Sequence, residues 1–116
     1  MTLSDKQALF ASLLGQLIIY ASLQPSLRVR FGWVYDPPNT GSKFRSPKSL
    51  HRSRLAADLI LDIYDPNTNA WVYQRSTKAY EPLGKYWESL HELCEWGGSG
   101  NRNDGNHFSL RHRGRW

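Results

Sequence analysis

A single cysteine, Cys94, stands in 116 residues. One thiol closes no internal disulfide, so no covalent framework holds this chain. It also excludes a cysteine-rich zinc knuckle, and any metal site must be built from imidazoles and carboxylates. Acidic residues are few: 10 Asp and Glu against 15 Lys and Arg leave a formal net charge of +5. No uninterrupted apolar run reaches the roughly 20 residues that span a bilayer. There is no internal repeat and no low-complexity tract, which excludes a fibrous or mostly disordered chain.

Aromatic residues are plentiful, with 5 Trp, 6 Tyr and 4 Phe, and apolar residues make up 40%. The composition is globular, and the length suits one domain over residues 1–116. So small a domain buries only about 65% of its unfolded surface. Bulky rings or a bound metal would reinforce its modest core.

Lys6 followed by the apolar stretch Ala8 to Leu23 invites a signal-peptide reading. Gly15 and Gln16 interrupt the stretch and no A-x-A-like cleavage site follows, so it reads instead as a buried helix. Ser4 with Gln7 offers a capping box, and Leu9, Leu13, Leu17 and Tyr20 recur at helical spacing up to Pro25. Leu27 to Tyr35 alternates, with Leu27, Val29, Phe31 and Trp33 on one side and Arg28 and Arg30 on the other, as in a strand. Asp36 to Lys48 is a loop broken by Pro37, Pro38, Gly41 and Pro47. Leu55 to Ile63 is a second strand, Asp65-Pro66-Asn67 a turn, and Trp71 to Tyr73 a short strand. Pro82 suits the first turn of a helix running to Glu92, with Leu83, Tyr86, Trp87 and Leu90 inward. Gly97 to Asn101 is a loop, and His107 to Arg111 the last strand. The order predicts an α+β domain with an antiparallel sheet flanked by helices.

Two segments carry chemistry. Ser49-Leu50-His51-Arg52-Ser53-Arg54-Leu55-Ala56-Ala57-Asp58 puts a His seven residues before an Asp where a loop enters a strand. Asp104-Gly105-Asn106-His107 puts an acid three residues before a His at a second such junction. Two His and one Asp suffice to ligate a catalytic zinc with the fourth position left for water. A further carboxylate outside the ligand set is then a candidate base, and Asp104 is close to His107 in sequence. Among the other candidates, His91 faces water or caps a turn and His112 belongs to a basic tail. Cys94 is a small buried residue, and Asp62 is a carboxylate near the strand rim.

Ser49-x-His51-x-x-Arg54-x-Ala56-x-Asp58 resembles the S-x-H-x-x-G-x-A-x-D motif of the M15 family of zinc peptidases. Trp96-Gly97-Gly98 followed by Asp104-Gly105-Asn106-His107-Phe108 resembles the second motif of its small phage-encoded branch. The likeness covers Ser49 to Leu110. It implies the hedgehog/DD-peptidase-like fold and Zn2+ held by His51, Asp58 and His107. It implies Asp104 as general base, with Ser49 and Trp96 packed around the ligands. The implied activity is hydrolysis of a peptide bond in the peptidoglycan stem. L-alanyl-D-glutamate endopeptidase comes first, a D-alanyl-D-alanine carboxypeptidase is the near alternative, and a non-catalytic wall- or nucleic-acid-binding protein is the alternative from another class. Two positions depart from the family. Arg54 stands at the motif glycine, and Asp36 stands where the family has the arginine that stabilises the oxyanion. Arg45, whose loop leads to His51, is the favoured substitute, ahead of Arg28 and Arg30.

The basic balance attracts polyanions generally. No nucleic-acid-binding signature accompanies it, so the expected partner is bacterial peptidoglycan rather than nucleic acid. The expectation is a monomer without stable membrane insertion. It would be held in the host cytoplasm before release and then act on the wall or periplasm.

Overall fold

A computed structural model describes residues 1–33, 50 and 53–113. The Asp36–Lys48 loop, Ser49, His51 and Arg45 lie outside the described residues. Two helices pack on an antiparallel five-stranded sheet, an α+β arrangement.

Helix α1 spans Leu3–Ser22. Its cap is Thr2, whose hydroxyl accepts from Asp5 N while the Asp5 carboxylate accepts from Thr2 N. The capping box is thus Thr2 with Asp5, not Ser4 with Gln7, and the helix begins earlier than the apolar periodicity alone indicates. Phe10, Leu13, Leu14, Leu17 and Ala21 form its buried stripe. Among the described residues no helix is long and apolar enough to cross a membrane.

Strand β1 (Leu27–Phe31) pairs with β2 (Ala56–Asp65), which is the spine of the sheet. The other edge of β2 takes β5 (His107–Leu110) at its start and β3 (Ala70–Tyr73) at its end. Between those two partners Leu59 N donates to Asn106 O. The buried Tyr80 hydroxyl accepts from Leu61 N and donates to Gln74 O. The spine therefore leaves few backbone groups unpaired where two short strands fail to meet. Burial raises the Tyr80 hydroxyl pKa above its ordinary value.

A 3-10 turn, Thr77–Tyr80, leads into α2 (Glu81–Leu90), whose Pro82 sits in the first turn as expected. Strand β4 (Cys94–Trp96) follows and pairs with β5. Three residues are too few to show an alternation, so the sequence does not announce β4. Trp87 joins the layers: it is fully buried and meets Phe10 and Phe108 edge-on at 5.8 and 6.2 Å. Its indole N–H is shared by the carbonyls of Glu95 and Ser109. Leu27 and Val29 lean on this core, but Phe31 is 58% exposed and Trp33 46%. The alternation of the first strand predicts all four inward. It loses its meaning past Phe31, where the strand ends.

Candidate functional site

Asp58 and His107 are register partners across the β2–β5 ladder. Period-two alternation puts their side chains on one face of the sheet, and Asp58 Oδ1 lies 3.4 Å from His107 Nδ1. Both residues are buried. Their backbones are held from both sides. Gly32 N donates to Asp58 O at 2.8 Å, and Asp58 N donates to Trp33 O. His107 N donates to Asp104 O, and Gly97 N donates to His107 O. Gly32 allows the first approach, since a Cβ there would stand 3.1 Å from Asp58 O.

Asp104 is half-buried in the turn before β5. Its N–H donates to Gly97 O at 3.0 Å and its carbonyl receives His107 N–H at 3.1 Å. These two bonds fix the Asp104 backbone against the first residue of β5.

Trp96 secures this turn. Its indole lies between Gly84 of α2 and Gly98, and a Cβ at either glycine would run into the ring. Its Nε1 donates to Gly105 O at 2.6 Å. Glu88 accepts from Trp96 N and from the Ser99 hydroxyl, and Arg102 donates to Trp96 O. The sequence shows the Trp-Gly-Gly run but not the role of Gly84, which comes from a different element.

Arg54, at the motif glycine, has φ 58°. This is the left-handed region that glycine enters without strain, so the chain keeps the glycine-type backbone with an arginine in place.

Asp62 is not a rim carboxylate: it is 2% exposed and is held by Arg28 and Arg30. The Arg30 hydrogen bond, above all, pulls its pKa below the usual carboxylate value, with Arg28 adding to the effect against burial. Both arginines are thereby engaged four residues along β2 from Asp58. His91 caps a turn, its Nδ1 accepting from Leu93 N. Cys94 is buried, and burial pushes its thiol up to about 12, so it stays protonated at neutral pH.

Among the described residues no group of three or more His, Cys, Asp or Glu side chains is placed to hold a metal ion. Asp58 and His107 supply one carboxylate oxygen and one imidazole nitrogen side by side. Two donors each about 2.0–2.2 Å from a tetrahedral zinc stand about 3.4 Å apart, and that is the separation observed here. The donor types and their spacing fit zinc. Compared with known proteins, the chain matches no family model and no curated relative.

Proposed function

We propose that this chain is a zinc-dependent peptidase of the bacterial cell wall, with the M15-type fold, cleaving the L-alanyl-D-glutamate bond of the peptidoglycan stem. The observation that carries this reading is the buried Asp58–His107 pair at ligand-like separation, at two positions named by the motif resemblance. His51 completes the ligand set in this reading. Bound zinc would polarise the scissile carbonyl and lower the pKa of a water towards neutrality.

The chain's own groups do the rest. Asp104 takes the proton of the attacking water and returns it to the leaving amine. The backbone bonds of Asp104 to Gly97 and His107 support that role, because they hold it in place before substrate arrives. Arg45 supplies positive charge to the developing oxyanion. Arg28 and Arg30 are less suited, because Asp62 holds them four residues along β2 from Asp58. The partner is peptidoglycan, met by a monomer after release from the host cytoplasm.

The test is metal counting together with muropeptide analysis. About one zinc per chain and new N-terminal D-glutamate, identified by mass spectrometry, are expected. Release of D-alanine would reassign the enzyme as a carboxypeptidase. Zinc without cleavage would make it a binding protein, and no zinc would sink the site.

A further inference from the structure

The sheet face that bears Asp58 continues along β2. Side chains alternate along a strand, so Asp58, Ile60, Asp62 and Tyr64 share this face. Asp62 Oδ2 accepts from Arg28 Nε at 2.7 Å and Arg30 Nε at 2.8 Å, and its Oδ1 accepts from Arg30 Nη2 at 3.0 Å. The carboxylate side chain is 3% exposed, the arginine side chains 46% and 51%. The Arg28 guanidinium also lies over the Trp71 ring, 4.6 Å from its centroid.

Arg30 alone satisfies Asp62 with a two-point contact. Arg28 adds a second cation that gives Asp62 only its Nε, leaving its two terminal amino groups over. Among the described residues, two guanidiniums on one carboxylate leave one positive charge in excess, with Arg28 held by Asp62 and the Trp71 ring. A planar guanidinium so held is a receptor for a second carboxylate.

We propose that the Arg28–Asp62–Arg30 cluster, with Trp71, is a subsite for the free C-terminal carboxylate of the stem peptide. This rests on the peptidase reading of the Asp58–His107 site. Asp62 lies four residues from Asp58, about 13 Å along the strand. That is the reach of three to four extended peptide residues, at about 3.3–3.6 Å each. It matches the γ-D-glutamyl, third and fourth residues beyond a cleaved L-alanyl bond. The charge is complementary, and the subsite and the cleavage site lie on one continuous face.

Calorimetric titration of the zinc-loaded Asp104→Asn chain tests this. The probes are L-Ala-γ-D-Glu-L-Lys-D-Ala as the free acid and as its C-terminal amide. The acid is expected to bind about tenfold tighter than the amide. Arg28→Gln leaves Asp62 paired with Arg30, so the fold is retained. It should remove most of the acid's advantage and leave amide binding unchanged. A neutral cluster, Arg28→Gln with Asp62→Asn and Arg30→Gln, should abolish the advantage without stranding a buried charge. Equal binding of acid and amide, or an acid preference that survives both variants, overturns the subsite and leaves the peptidase standing. Binding of neither peptide overturns the subsite as well, and the peptidase reading falls with it only if muropeptide release is also absent.

Discussion

Asp58 and His107 face each other in the β2–β5 ladder with carboxylate and imidazole 3.4 Å apart. Asp58→Asn keeps the shape of that side chain and removes its charge. If the pair ligates zinc as proposed, zinc affinity should fall on the order of a hundredfold or more, since even groups one step removed from a metal ligand are worth about 10–100-fold. A chelator-competition titration reads the change, and an unaltered circular dichroism spectrum shows that the fold survives.

On the proposed peptidase reading, Asp104→Asn separates the base from the metal. The stem-peptide hydrolysis rate should fall about 10²–10⁴-fold, the usual worth of a positioned proton acceptor. The zinc content should stay as it was. Loss of zinc together with activity would place Asp104 among the ligands instead.

Gly84→Ala pushes a methyl group into the Trp96 ring. Overpacking of this kind costs about 1–3 kcal/mol. Because the same indole holds Gly105 O, the proposed hydrolysis should fall alongside stability. Gly15, in the middle of α1, has nothing within 4 Å of an added Cβ. Gly15→Ala should therefore stabilise by about 0.5–1 kcal/mol. Urea unfolding of the two variants compares a glycine kept for close contact with one that is dispensable.

Arg54 occupies a left-handed backbone position. Arg54→Gly should leave stability unchanged or raise it by up to about 1 kcal/mol, as relief of left-handed strain outweighs the added chain entropy. Arg54→Val, β-branched at the same φ, should cost at least about 1 kcal/mol. Thermal midpoints decide between them.

Asp62 has a native pKa below the usual carboxylate range, because Arg30 and then Arg28 bond its ionised form. A depressed native pKa means that the unfolded state takes up a proton first as pH falls. The pairing therefore contributes its full stability well above pH 4. That contribution declines as pH drops below about 4 and is gone beneath the native pKa. Denaturant midpoints measured from pH 6 to pH 2 should fall less steeply in Asp62→Asn than in the unsubstituted chain.

Much of the framework is legible in the sequence because it is periodic. The stripe through Leu13 and Leu17 marks α1, the Leu and Ile run marks β2, and Pro82 marks the start of α2. What escapes is set by contacts distant in the chain. Strand β4 is three residues long and exists through its pairing with β5. The helix cap is a local exception: Thr2 rather than Ser4 caps α1, because Asp5 answers it. Asp62 reads as a rim carboxylate until β1 brings two arginines onto it. For the site, spacing names Asp58 and His107 separately; their adjacency comes from the β2–β5 register, which no local pattern encodes. His51, Ser49 and Arg45 lie outside the described residues.

The two sides of the Asp58–His107 pair differ in the sequence separation of their contacts, which predicts unequal folding histories. His107 and Asp104 belong to a stretch of near neighbours in the chain: α2, then β4, then the turn that Trp96 closes, then β5. Contacts of short sequence separation close quickly. Asp58 reaches this stretch through the β2–β5 pairing, which closes a loop containing β3 and α2 and carries the higher entropic cost. On this ordering the imidazole side is assembled first and the carboxylate docks last. Substitutions along the Ala56–Asp58 seam would then act mainly on the unfolding rate, while those around Trp96 would slow folding itself.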